Sequence, residues 1–148
     1  MGNRLLLVRT KFGEPDYWRY LSPRFGDEQF RETAIADAEL TMDDSPARTW
    51  FIAVNEDDRV MGMCSQDEQD RPVRWGNNYV LAPWRGMGIF TMLFHYRLGF
   101  TPPGAVVETF VYTSLIRIHK RHGFVIVESR GNTMPDGSRR NSYAMLRP

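Results

Sequence analysis

The chain has 148 residues, 42% hydrophobic and 25% charged, with a net charge of +1. That is enough for one domain burying about 68–70% of the surface its unfolded chain exposes, and too ordinary a composition for a disordered or fibrous protein. A bulk charge near zero gives a nucleic-acid partner no support. The lone Cys64 allows no internal disulfide, and no run of about 18 apolar residues is present to span a bilayer. The start of the chain carries no long apolar core followed by a cleavage site. The expectation is a single cytoplasmic domain over residues 1–148, with Cys64 a buried, inert thiol.

Arg4 to Thr10 is a short apolar run whose length favours a strand. From Pro15 the pattern turns helical, with Tyr17, Tyr20 and Leu21 on one face, and Ser22-Pro23 predicts a stop, because the residue before proline avoids helical angles. Asp27 is suited to cap a second helix carrying Phe30, Ala34 and Ala38, which is expected to end near Leu40. Thr49–Asn55 and Arg59–Gln66 read as a hairpin around the turn at Asn55-Glu56-Asp57-Asp58. After a polar turn over Asp67 to Arg71, Val73 to Leu81 reads as a third consecutive antiparallel strand.

That strand feeds Val80-Leu81-Ala82-Pro83-Trp84-Arg85-Gly86-Met87-Gly88-Ile89-Phe90, a glycine-punctuated turn entering an amphipathic helix. The helix carries Ile89, Met92, Leu93 and Tyr96 on one face and Phe90 and Phe94 on the next; Pro102-Pro103-Gly104 ends the segment. Backbone N–H groups at such a helix start lack intrahelical partners, and with the positive end of the helix dipole they form an anion site for which phosphate is the usual guest. Ala105 to Val111 is a near-continuous apolar strand interrupted by Glu108. Thr113 or Ser114 then caps a short helix with an inner stripe of Leu115, Ile118, His119 and His122, and Arg117, Lys120 and Arg121 outward. Gly123 closes it. Phe124 to Glu128 and Ser142 to Leu146 read as the last strands, separated by a loop with the turn signal Pro135-Asp136-Gly137-Ser138.

The order is strand, two helices, three strands, helix, strand, helix, two strands, an α/β (α+β) domain with one mixed, mostly antiparallel sheet of about seven strands and about four helices. With the run from Val80 to Ile89 and the helix ending His119-Lys120-Arg121-His122-Gly123-Phe124, it resembles the GCN5-related N-acetyltransferase superfamily over nearly the whole chain. The resemblance implies the acyl-coenzyme A N-acyltransferase fold. It implies that acetyl-coenzyme A is bound with its pyrophosphate on backbone N–H groups of Arg85, Gly86, Met87, Gly88, Ile89 and Phe90, and with its amide arm along Tyr79, Val80 and Leu81. Two positions depart from the family pattern. Phe90 stands where a small residue is usual, so its ring either enters the core or crowds the phosphates. His119 stands where a tyrosine commonly serves as general acid to the departing thiolate.

Acetyl transfer to an amine requires a neutral amine, a donor for the developing oxyanion and a proton for the leaving sulfur. An imidazole with a pKa of about 6.5 can supply that proton, so His119 is read either as the acid or as a core histidine beside Ile118 and Leu115. Glu108 is read either as a general base whose pKa burial raises, or as the partner of Arg97, Arg117 or another base. Asn77, Asn78 and Tyr79 are weaker candidates on the preceding strand. His95, His119 and His122 lack cysteine or carboxylate companions at metal-ligand spacing, so no metal is expected, and direct attack is favoured over a Cys64 intermediate. Arg139-Arg140 beside Lys120-Arg121 is read as a solvated face or a contact to the coenzyme's ribose phosphate.

The principal expectation is an N-acetyltransferase moving an acetyl group from acetyl-coenzyme A to a small-molecule or protein amine. The alternatives are a catalytically weak binding protein of this fold, motivated by Phe90 and His119, and an acyltransferase acting on nucleic acid or aminoacyl-tRNA. A homodimer is allowed. In the family the acceptor side is built by the segments corresponding to Pro15–Leu40 and Arg130–Asn141.

Overall fold

The computed structural model describes residues 4–38, 47–68, 72–133 and 136–148, with only the backbone for 35–38 and Thr113. The expected helix end near Leu40, residues 69–71 of the polar turn and Pro135 lie outside the described residues. Seven strands, β1 (Leu5–Lys11), β2 (Arg48–Asn55), β3 (Val60–Asp67), β4 (Val73–Val80), β5 (Val107–Tyr112), β6 (Val125–Thr133) and β7 (Arg139–Arg147), form one sheet in the order β1-β2-β3-β4-β5-β7-β6. Every neighbouring pair is antiparallel except β4 with β5.

The helices are α1, a π-helical turn Tyr17–Leu21 running into Ser22–Phe25, then α2 (Glu28–Ala38), α3 (Ile89–Gly99) and α4 (Ile116–Arg121). Asp27 caps α2 through Oδ1, which accepts the N–H groups of Gln29 and Phe30 at 3.0 and 3.3 Å. The expected stop at Ser22-Pro23 does not occur. Ser22 keeps helical angles, and its N–H reaches back five residues to the Tyr17 carbonyl. The wider π turn resets the register so that Pro23 falls in the first turn of a new α segment, where a missing N–H costs no hydrogen bond.

On one sheet face α1 and α2 cover β1–β4 through Tyr17, Tyr20, Leu21, Ala34, Trp50, Ile52, Met63 and Tyr79. On the other, α3 packs on Phe51, Ala53, Met61 and Cys64 through Ile89 and Leu93. Beside it, Phe94, Trp75, Val107, Val111, Phe124 and Met145 form a third cluster edged by α4. The last two strands extend past the expected segments, because the polar residues Arg130–Thr133 and Arg139–Asn141 continue the β6–β7 ladder. Their side chains are largely exposed, so hydrophobic alternation does not report this pairing.

Candidate active site

The parallel pairing of β4 with β5 covers only Val73–Trp75 against Val107–Thr109. Beyond it the strands part, and the cause lies in β4. Its register against β3 shifts between Met63 and Ser65. Asn77 takes a left-handed φ of 54°, a conformation asparagine tolerates better than most residues, and its Nδ2 donates to Ser65 Oγ at 2.9 Å. Asn78 turns to the other face, where its Oδ1 accepts Arg97 Nη1 at 2.9 Å. The same Nη1 donates to the Ser65 carbonyl at 3.1 Å, and the guanidinium lies 4.1 Å from the centroid of the Trp75 ring. Arg97 is fully buried, and desolvation pulls its pKa below the ordinary value. It therefore fastens the bulge from beneath.

The parted strands open a cleft of about 850 Å³. One wall is the end of β4 with Asn78, Tyr79 and Val80; the floor is the turn and first helical residues Arg85, Gly86, Gly88, Ile89, Phe90 and Thr91; the far wall is Tyr112, Ser114, Leu115, Ile118 and His122. Gly86 and Gly88 take φ values of 80° and 79°, and a Cβ at either would meet no atom within 4 Å. The glycines thus let the turn form and leave room beside its backbone. The first α3 bond runs from Met92 N–H to Gly88 O, so the N–H groups of Ile89, Phe90 and Thr91 precede the intrahelical ladder. Arg85, Arg117, Arg121 and Arg140 line the cleft and no aspartate or glutamate does so among the described residues. Convergent donors, positive charge and space beside two glycines suit a diphosphate with an extended arm, so the residues present fit coenzyme A.

Seven of the nine expected cofactor residues line this cleft: Tyr79, Val80, Arg85, Gly86, Gly88, Ile89 and Phe90. Leu81 does not; its N–H is bonded to the Met61 carbonyl on the β3 side at 2.9 Å and its side chain packs toward the α1–α2 cluster. Met87 projects outward, 50% exposed. The ring of Phe90 packs 6.3 Å from Phe94 and 6.4 Å from His119, centroid to centroid. It joins the core cluster and leaves one edge on the cleft.

The two expected catalytic residues stand elsewhere. His119 is fully buried among Trp75, Phe90, Phe94 and Phe124. Its Nδ1 lies 2.8 Å from the Leu115 carbonyl, which can only accept, so the proton sits on Nδ1 and Nε2 is buried without a partner. Desolvation lowers its pKa to about 4, against a smaller raising effect of the Leu115 bond. A neutral imidazole whose one N–H is engaged has no proton to release, and His119 does not line the cleft. Glu108 binds Arg74, with 2.6 Å between Arg74 Nε and Oε1, where β4 and β5 are still paired. It too is absent from the cleft wall. Cys64 is buried, with a pKa raised by desolvation, so its thiol is no nucleophile at neutral pH. Among the described residues no group of three His, Cys, Asp or Glu side chains could hold a metal ion, and no helix is long and apolar enough to cross a membrane.

The His119 geometry predicts a pH effect on stability. A histidine pKa depressed from 6.5 to about 4 in the folded state lets the unfolded chain bind the proton first. Its contribution is complete above pH 6.5 and is lost as pH falls toward 4, by up to about 3 kcal/mol. Denaturant titrations at pH 7 and pH 4 should show a smaller acid loss in His119→Gln than in the parent; equal losses would place the acid sensitivity elsewhere.

Trp84, Tyr112, Ser114 and Arg117 line the cleft without having been expected as site residues, and Arg121 and Arg140, read from the sequence as a solvated face or a contact to the coenzyme's ribose phosphate, line it too. The two α4 arginines are four apart on one helical face, a spacing visible in the sequence, but an outward face does not reveal that it borders a cleft.

This architecture is the acyl-coenzyme A N-acyltransferase fold, that of the GCN5-related N-acetyltransferases. Over 96% of the chain it matches a GCN5-related N-acetyltransferase from Kribbella flavida (97% of that chain, 19% identity, TM-score 0.66). It matches an acyl-CoA N-acyltransferase from Pseudomonas aeruginosa over 98% (100% of that chain, 15% identity, TM-score 0.69). A spermidine N-acetyltransferase from Vibrio cholerae, solved with CoA and spermine, matches over 96% (94% of that chain, 13% identity, TM-score 0.65). At these identities the likeness is one of fold. No protein-family model matches the chain, and no curated protein matches it.

Proposed function

We propose that the protein is an acetyl-coenzyme A-dependent N-acetyltransferase acting on a small-molecule amine. The observation that carries this reading is the cleft between the parted β4 and β5, floored by the Gly86–Thr91 turn and ringed by arginines. Gly86, Gly88 and the N–H groups at the start of α3 would hold the diphosphate, with Arg117 and Arg121 alongside. The edge of β4 at Tyr79 and Val80 would take the amide arm as an added strand would. Bound there, the cofactor supplies an activated acyl thioester.

The chain's own part is to position the amine and to handle protons. With no carboxylate among the described lining residues, the amine arrives neutral, helped by the arginines, which disfavour a neighbouring ammonium. In this reading proton delivery to the sulfur falls to Tyr112 instead of His119: Tyr112 lines the cleft at the end of β5, and its hydroxyl, buried in this structure, would turn toward the cleft to donate. Glu108 serves the sheet through Arg74.

Release of free thiol from acetyl-coenzyme A in the presence of a broad amine panel tests the activity. Tyr112→Phe is expected to lower kcat about a hundredfold with little change in the KM for acetyl-coenzyme A. Unchanged kcat in that variant would remove Tyr112 from the reaction. Absence of thiol release with every amine, despite cofactor binding, would favour a protein that binds without catalysis.

A further inference from the structure

The sheet ends in two edge strands, β1 and β6, and they are not equally protected. Along an antiparallel edge, alternate residues turn their N–H and C=O groups away from the neighbouring strand. Among the described residues, those of β6 that turn away from β7 have no backbone partner. The strand opens with Val125, Ile126 and Val127, all exposed, Val127 by 60%. On β5, Val107 and Val111 turn into the α3–α4 cluster, so alternation places the exposed Phe110 on the opposite face. No residue of β5, β6 or β7 joins the cluster under α1 and α2. This end of the sheet thus presents an open edge beside an uncovered apolar face.

The charges on β6 select what can cover that edge. Glu128 and Phe110 both stand opposite Ala144 of β7, and so share a face. Glu128 accepts Arg130 Nε at 3.1 Å and Nη2 at 3.4 Å, and the guanidinium lies 5.4 Å from the Phe110 ring centroid. Both charged side chains are more than half exposed. A lone charge on an edge deters strand addition. A glutamate and an arginine two residues apart instead favour one occupant, a second copy of the same strand running antiparallel. With a two-fold axis at Ser129, each Glu128 stands opposite the partner's Arg130.

Other axes do worse. An axis at Glu128 or Arg130 sets like charges face to face, and one at Gly131 leaves Val125 to Val127 beyond the shared ladder. The axis at Ser129 lays the partner's Thr133 to Gly131 along Val125 to Val127. The register of β6 shifts between Ile126 and Glu128, and the extra residue there, Val127, meets the partner's Gly131, which has no side chain to obstruct it. On β1 the only charges are Arg9 and Lys11, both positive, and Arg9 is folded onto the Phe100 ring at 4.0 Å, so no axis pairs opposite charges there.

We propose that the protein self-associates through β6, two copies joining edge to edge about a two-fold axis at Ser129 into one continuous sheet. Backbone bonds and coverage of Val125 to Val127 supply the affinity, as in other strand additions. The Glu128–Arg130 pairs fix the register, because exposed ion pairs add specificity more than strength. The pairing is independent of the acetyltransferase reading.

Sedimentation equilibrium of the full-length protein from about 1 μM to about 500 μM tests it. A monomer–dimer equilibrium is expected. Arg130→Glu and Glu128→Arg should each weaken it about tenfold or more, since either change sets two like-charged pairs across the axis. An equimolar mixture of the two variants should regain the parent's association as a heterodimer, because both pairs across the axis are again of opposite sign. That recovery separates the register from any loss of stability in either variant. A monomer throughout the range would overturn self-association. A dimer indifferent to both substitutions, or a mixture that does not recover, would overturn pairing through β6.

Discussion

Gly88→Val is expected to abolish acetyl-coenzyme A binding while leaving the sheet folded. Gly88 sits at the entry to α3 with φ 79° and ψ 10°, a conformation that costs a residue with a Cβ about 1–2 kcal/mol and a β-branched one more. Relief of that strain would rotate the peptide units whose N–H groups point into the cleft. If the turn resists, the valine side chain enters the open space beside Gly88, where no atom lies within 4 Å of a built Cβ. Either outcome removes the anion cradle. Gly104→Ala supplies the control, because Gly104 has a comparable φ of 74° and open surroundings but does not line the cleft. It should lose about 1 kcal/mol of stability and no cofactor affinity. Equal loss of affinity in both variants would show that strain alone, and not the cradle, governs binding.

The second large effect is expected at Arg97. Arg97→Ala removes the largest buried side chain of α3 and the donor to both the Ser65 carbonyl and Asn78 Oδ1. It should cost about 3–5 kcal/mol, as for other core truncations and broken buried polar contacts, and lower the melting midpoint by about 10 °C in a chain of this length. Arg97→Met separates volume from charge. The guanidinium is buried with Nε and Nη2 unpartnered, so methionine should recover most of the stability. The β4 bulge, however, would still lack its anchor. Arg97→Met is therefore expected to raise the KM for acetyl-coenzyme A with a smaller effect on kcat, marking Arg97 as a positioning residue. Full recovery of both stability and KM would reduce Arg97 to a space-filling side chain.

Features set by neighbours in sequence were legible without the structure. The β2–β3 hairpin follows from two apolar runs flanking Asn55, whose Oδ1 accepts the N–H groups of Asp57 and Arg59 within the turn. The β4–turn–α3 unit follows from its glycines and helical periodicity. What depended on distant residues was not legible. His119 is neutral because Trp75 of β4, Phe94 of α3 and Phe124 just before β6 enclose it, and helical spacing cannot separate a caged imidazole from one at a cleft. Glu108 disrupts an apolar strand because Arg74, across the parallel register, satisfies it; adjacency of β4 and β5 has to be known before that partner can be named. Arg140 reaches the cleft only because the β6–β7 ladder continues through polar residues that carry no hydrophobic signal.

The central claim is that the cleft between β4 and β5 is built for coenzyme A, and calorimetric titration of the protein with acetyl-coenzyme A tests it most directly. The expected result is one saturable site per chain with a Kd below about 1 mM, weakened by added salt because arginines contribute, and lost in Gly88→Val. No heat of binding up to about 1 mM, or binding that Gly88→Val leaves unchanged, would contradict it.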